Sequence, residues 1–496
     1  MNDPILYWNN VALEANRRDF SNLPGTDKPV PEQPGPTLSS RALAIVHLAM
    51  YDAYAGAKNS QGGDKFERYD NGQDKIDDPA VRASPDAAVA AAAHACLSAL
   101  FPRQKPHFDF AYYNTQPTDA DAAQGLLFGR DVAIALLKKR KTDSDARADG
   151  YVYSLLPEKH RPDPANPDQV LHAPYYSGGG TKCFSVSQRH ILEKPPQRED
   201  AEYLKALKQV RSKGIAIELM GTLPATTAAE KKGIDLVPRT PEQTLTGLFW
   251  AYDGVREIGT PPRLYNQILR EVATKKNNSI ADNARLFALV NAAMADAGIL
   301  AWQNKYLYNV WRPVIGVREH DGSMGPAAPS SEGAFNPDCD PAWLPMGAPA
   351  SNSRDRNFTP PFPAYPSGHA AFGAAALHMA RLFYTKGAVN GKREKDDVFT
   401  GPFVSDELNG RTTDNQGTVR PRHVRRFPDG LWGMILENAL SRVYLGVHWL
   451  FDAYAIDASG DPDWTRMIGG VPLGLKIAED IYARSGDGNY PPKTVA

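Results

Sequence analysis

Apolar residues recur at three- and four-residue spacing through most of the chain. SRALAIVHLAMYDAYAGA from Ser40, SPDAAVAAAAHACLSALF from Ser84 and DADAAQGLLFGRDVAIALLKKR from Asp119 all carry this stripe, which marks a helix with a buried face. The two serines and the aspartate that open these runs are N-cap types, because a short side-chain oxygen can accept from a free first-turn N–H. The same period returns in REDAEYLKALKQVRSKGI, TPEQTLTGLFWAYDG, PPRLYNQILREVATKK and ADNARLFALVNAAMADAGILAWQNKYLYNVW. It appears last in DGLWGMILENALSRVYLGVHWLFDAYA and LGLKIAEDIYARSG. Period-two alternation is scarce, and no short fixed repeat is visible. Irregular stretches at 150–196, 322–361 and 390–428 separate the helical runs. This pattern predicts an all-α protein of two helical bundles with long irregular connections. The bundles span residues 1–215 and 216–496, the second carrying the active site.

Charge narrows the functional classes. The 496 residues hold 56 Lys plus Arg against 57 Asp plus Glu, a formal net charge of -1. A general nucleic-acid or anionic-membrane binder needs a clear basic excess. Cys96, Cys183 and Cys339 are odd in number and far apart, so they read as free or buried thiols rather than as a disulfide framework or zinc site. The opening MNDPILYWNNVALEANRRDF lacks a basic stretch followed by an apolar core, so no secretory signal is expected. No run looks long and apolar enough to cross a bilayer, and the expectation is a soluble protein.

Candidate chemistry collects in the second half. In PPFPAYPSGHAAFGAAALHMARLF a proline-rich approach meets Ser367, Gly368 and His369 just where an alanine-rich helix begins. Ser367 is a plausible N-cap. The first free N–H groups and the positive end of the helix dipole then face outward, a setting that binds anions. Upstream, NKYLYNVWRP supplies Lys305 and Arg312; seven residues at roughly 100° each put both cations on one helix face. Downstream, ALSRVYLGVHWLFDAYA carries Arg442, His448 and Asp452. His448 and Asp452, four apart, let the carboxylate hold one imidazole nitrogen and leave the other free. Arg442 and His448 fall about 120° apart on an ideal helix, so either the arginine curls round or Gly446 marks a break. Three cations buried with no anion between them are costly. Together with the helix mouth and two histidines they form a cage for a tetrahedral or trigonal-bipyramidal oxyanion.

The spacing K-x6-RP, PSGH and SR-x5-H-x3-D, here Lys305 to Pro313, Pro366 to His369 and Ser441 to Asp452, resembles the signature shared by vanadium-dependent haloperoxidases and type-2 phosphatidic acid phosphatases. PPFPAYPSGHA, NALSRVYLGVHWLFDA, WAYDG, TPPRLYNQ, DAGILAWQNKY and GGVPLG further resemble the fungal-type vanadium chloroperoxidases, as do the N-terminal ILYWNNVALEANR and LSSRALAIVHLAMYDAY. The likeness runs over nearly the whole chain. It implies a vanadate cofactor, hydrogen peroxide and a halide as substrates, and small organic acceptors for the product. It also implies roles. His448 coordinates vanadium, while Lys305, Arg312, Ser367, Gly368 and Arg442 hydrogen-bond the vanadate oxygens. His369 contacts the apical position and serves as acid–base when peroxide binds, and Asp253 pairs with Arg442. Trp302 and Phe362 border the halide site, and phenylalanine at the latter position sides with chloroperoxidases over algal bromoperoxidases.

The same cage suits a rival reaction. In a soluble acid phosphatase His448 is the nucleophile, Asp452 orients it and His369 protonates the leaving group.

Overall fold

The computed structural model describes residues 3–21, 30–63, 65–72, 75–115, 119–141, 143, 151–169, 181–223, 236–327 and 334–495. Parts of the connections expected at 150–196 and 322–361 lie outside the described residues. Helices carry the fold, and the extended pairing among the described residues is confined to isolated bridges such as Ala348 with Phe358.

In chain order the helices are α1 (Pro4–Asp19), α2 (Gly35–Ser60), α3 (Pro85–Leu100), α4 (Lys105–Tyr113), α5 (Ala122–Arg140), α6 (Ala201–Lys213) and α7 (Pro241–Phe249). They continue with α8 (Pro261–Lys275), α9 (Ile280–Tyr308), α10 (Pro313–Gly316), α11 (Gly368–Tyr384), α12 (Gly430–Tyr444) and α13 (Gly470–Ala483). Local chemistry sets several starts. Ser84 caps α3 by accepting from Ala87 N–H, whereas α5 begins after Asp121 rather than Asp119. Helix α2 opens at Gly35, ahead of the expected Ser40, because Pro36 sits in its first turn, where its fixed φ and missing N–H carry no penalty.

Helix α11, whose mouth was singled out in the sequence, lies at the centre of the packing. It contacts α8, α9, α12 and α13. Close approach to α13 depends on small residues. A Cβ at Gly470 would stand 2.3 Å from Ser367 O, and one at Gly474 would stand 2.4 Å from Ala371 O. On the other side α9 packs along α2, and α2 lies against α3 and α5.

Helix α9 is long and apolar enough to cross a membrane by length and composition, contrary to the sequence expectation, but 94% of that stretch is buried inside the protein. It serves as a core helix. The three cysteines are buried free thiols.

Two expected helices stop early, and both stops shape the site. The run through His448 ends as α12 at Tyr444, where Gly446 adopts φ +72 and a Cβ on it would meet Gly214 O at 2.3 Å. Only glycine accepts that backbone and that contact. The run through WAYDG ends as α7 at Phe249, leaving Asp253 on a loop.

Candidate active site

Lys305 and Arg312 do not share a helix face, as their spacing had suggested. Helix α9 stops at Asn309, which takes the left-handed conformation at φ 54, and Arg312 stands just before α10. The turn nevertheless sends both cations to one place. Lys305 Nζ donates to the carbonyls of Pro363, Ala364 and Pro366 at 2.9, 3.0 and 2.5 Å. These three acceptors match the three donors of an ammonium. They come from the proline-rich approach to α11, where prolines have no N–H to offer in return.

Arg312 donates from Nε to Phe362 O at 2.9 Å and from Nη1 to Val447 O at 2.7 Å. The same Nη1 lies 2.9 Å from His448 Nε2. A guanidinium only donates, so Nε2 is the accepting nitrogen of His448. The proton then sits on Nδ1, which donates to Asp452 Oδ2 at 2.8 Å. That oxygen also accepts from Trp449 N–H at 3.0 Å. The tautomer of His448 is thereby fixed, with a lone pair on Nε2. His448 stands outside the helix, beyond the Gly446 break, and reaches the same cavity as Arg442 from the last turn of α12.

Arg442 makes a two-pronged pair with Asp253, Nη1 to Oδ2 at 2.9 Å and Nη2 to Oδ1 at 2.6 Å. Ser367 caps α11 by accepting from Ala370 N–H at 3.4 Å, and its own N–H donates to Asp452 O at 2.8 Å. His369, in the first turn, has Nε2 at 2.5 Å from Ala251 O. A carbonyl can only accept, so this nitrogen carries the proton.

Sequence reasoning missed the residues that hold His369 from behind. Tyr265 Oη and Asn438 Nδ2 both donate to its backbone carbonyl, at 3.0 and 2.8 Å. Nothing short-range marks them, because they come from α8 and α12. Trp302 and Phe362 stack obliquely with ring centroids 4.8 Å apart. Lys305 Nζ lies 5.3 Å from the centre of the first ring and 5.2 Å from the second.

The electrostatics ask for an anion. Burial, reinforced by Arg312 and Arg442, pushes Lys305 well below the usual lysine range. Burial pushes Arg312 down to about 9. His369 falls to about 3 through burial and then Arg442, and burial with the three cations drives His448 well down too. Asp452 rises to about 7 by burial, against the pull of Lys305 and Arg312. Arg312 Nη2 and Arg442 Nε are buried with no partner among the described residues. Orphaned buried donors on cations are expensive, and an oxyanion satisfies them. Cage residues Gly368, His369, Arg442 and His448 line one cavity of about 330 Å³ together with Trp302 and Phe362.

A curated relative, the vanadium chloroperoxidase of Curvularia inaequalis, is 35% identical over 96% of this chain and 89% of its own length. The chain belongs to the vanadium chloroperoxidase family. Family models agree in both halves, the vanadium chloroperoxidase N-terminal domain matching residues 1–185 and the second helical-bundle domain matching 285–462. A bacterial vanadium-dependent iodoperoxidase shares the fold at a TM-score of 0.59 and 18% identity, over 97% of this chain and 95% of that one. The holo form of a bacterial vanadium-dependent chloroperoxidase shares it at 0.58 and 14%, over 96% and 98%. The all-α architecture is thus that of the vanadium haloperoxidases.

Proposed function

We propose that the protein is a vanadium-dependent haloperoxidase that oxidises chloride or bromide with hydrogen peroxide to hypohalous acid. The observation that carries this reading is the set of unpaired donors around an accepting histidine nitrogen. Arg312 Nη2 and Arg442 Nε are buried and unused, and His448 Nε2 presents its lone pair beside Arg312. These residues fit vanadate, which takes one nitrogen ligand and several hydrogen bonds to its oxygens.

His448 would hold the vanadium through Nε2, which Asp452 keeps unprotonated by engaging Nδ1. Arg312, Arg442, Ser367 and the Gly368 N–H would hold the oxygens, and Lys305, whose three donors engage the Pro363, Ala364 and Pro366 carbonyls, would add its charge to their neutralisation. When bound, vanadate supplies an electrophilic centre that activates peroxide for oxygen transfer to halide without a change of oxidation state. His369 moves the protons. Its Nε2–H stays on Ala251, so Nδ1 takes a proton from peroxide and returns it to the leaving oxygen. Trp302 and Phe362 give the halide a poorly hydrated wall beside Lys305, which strengthens the attraction between ion and ammonium.

In this reading the division after residue 215 separates a supporting bundle from a catalytic one. The cavity still takes Phe20 and Pro34 from the first part. Vanadate-loaded protein, assayed for dimedone halogenation with peroxide and each halide, tests the function. Halogenated product with little phosphate release from an aryl phosphate supports it; the reverse pattern assigns the phosphatase.

A further inference from the structure

The cavity is far larger than its small reactants. A cavity of roughly 150 Å³ holds a benzene, whereas this one encloses about 330 Å³, the size of small-molecule sites in general. Its floor is the cationic cage. Much of the remaining lining is rings: Phe20, Phe358, Pro34, Pro261 and Pro361 line the same cavity as Phe362. Peroxide and halide have no use for such walls, which offer them neither hydrogen bonds nor charge.

Apart from the cage and Asp253, which pairs with Arg442, one amide side chain interrupts the apolar lining. Gln169 lines the cavity, and its Oε1 is buried with no hydrogen-bond partner among the described residues. A buried carbonyl oxygen left unpaired is destabilising, and a ligand hydroxyl donating to it removes that penalty.

We propose that the vestibule binds a neutral aromatic alcohol of one or two rings, anchored by its hydroxyl to Gln169, so that halogen passes to a bound ring rather than to an acceptor in solution. This rests on the haloperoxidase reading for the chemistry but not for the binding. Flat apolar walls select a ring. Neutrality follows from the cage: Arg442 lines the cavity and, with Lys305 and Arg312 buried in the same cage, disfavours a cation, while a small anion is drawn to the cage itself. The reaction balances with what the activity supplies. Hypohalous acid transfers its halogen to a ring carbon, the O–halogen and C–H bonds break, the C–halogen bond forms, and the released proton joins hydroxide as water. A hydroxyl on the ring makes it electron-rich enough to accept the electrophile.

Binding is measurable without turnover. Full-length protein loaded with orthophosphate, free of vanadate, peroxide and halide, is titrated calorimetrically with 2-naphthol, naphthalene and 2-methoxynaphthalene. The expected result is one saturable site that prefers 2-naphthol about five- to tenfold over both donor-free probes, the span of one neutral hydrogen bond. Gln169→Met, which keeps the side-chain length, is expected to erase the preference and leave naphthalene affinity unchanged. No saturable binding, equal affinity for the three probes in the wild type, or an undiminished preference in Gln169→Met overturns the proposal. The wild-type comparison of probes decides even if the variant folds poorly. Halide oxidation by vanadate-loaded enzyme that shows no naphthol site defeats this inference alone. A naphthol site on a protein that never oxidises halide defeats the haloperoxidase reading instead.

Discussion

Arg442 grips both carboxylate oxygens of Asp253, at 2.6 and 2.9 Å, while its own Nε lies buried and unpaired among the described residues. The carboxylate fixes the plane of the guanidinium and leaves one edge for a further acceptor. Truncating one member of a buried pair strands the other charge, at a typical cost of about 3–5 kcal/mol. Asp253→Ala is therefore expected to melt much earlier than the wild type in anion-free buffer. Orthophosphate is expected to recover more of that loss than it adds to the wild type, because Arg442 then has only the anion as counter-charge. Thermal melts with and without phosphate check this, and an equal phosphate effect in both proteins contradicts it.

His369 gives a pH signature. Its pKa lies near 3 in the folded protein against about 6.5 in an unfolded chain. The unfolded state binds the extra proton between these values, so the group's contribution to stability is present above about 6.5 and lost on acidification toward 3. His47, at about 4, acts in the same direction. Asp452 and Glu407, each pushed up to about 7, act in the opposite one. A difference between variants isolates the group. His369→Gln is expected to gain on the wild type as pH falls from 6.5, by up to about 1.4 kcal/mol per unit. Urea unfolding at several pH values measures this, and parallel curves contradict it.

The two histidines are expected to separate binding from turnover. His448→Ala removes the nitrogen proposed to hold the metal, so vanadate retention and peroxidase activity are expected to fall together. His369→Ala keeps vanadate but loses turnover by about 10²-fold or more, the scale of one general acid–base group. Equilibrium dialysis with elemental analysis, run beside the halogenation assay, checks the division. Equal loss of vanadate in both variants contradicts it.

The aromatic wall of Trp302 and Phe362 is expected to set halide preference. Chloride is more strongly hydrated and harder to oxidise than bromide, so it depends more on a dry site next to Lys305. Phe362→His and Trp302→Ala are expected to lower the chloride rate much more than the bromide rate, with little change in vanadate affinity. Both rings are nearly buried, at 9% and 2% exposed, so steady-state rates with each halide need a melt beside them. A parallel fall in both rates with an early melt means that the rings only fill the core.

Sequence periodicity made the helices legible wherever a stripe was buried on one side. It could not place the stops at Tyr444 and Phe249, because each depends on a tertiary feature: Gly446 against Gly214, and the loop after α7 that turns through Tyr252 at φ 46. The helical-wheel placement of Lys305 with Arg312 failed for the same reason, since Asn309 ends the helix between them. Both cations still reach one cage, because carbonyls 50 to 61 residues away hold them. The supports of His369 were invisible, as Tyr265 and Asn438 are 104 and 69 residues distant and belong to other helices.

Vanadate is the working cofactor, and orthophosphate is expected to compete with it for the same cage. Stepwise displacement of vanadate by orthophosphate, with bound vanadium and halogenation rate measured on the same samples, tests it most directly. The rate is expected to follow bound vanadium in proportion, reaching its maximum at one vanadium per chain and vanishing when phosphate has displaced it. Halogenation that persists after the vanadium is gone would contradict the assignment.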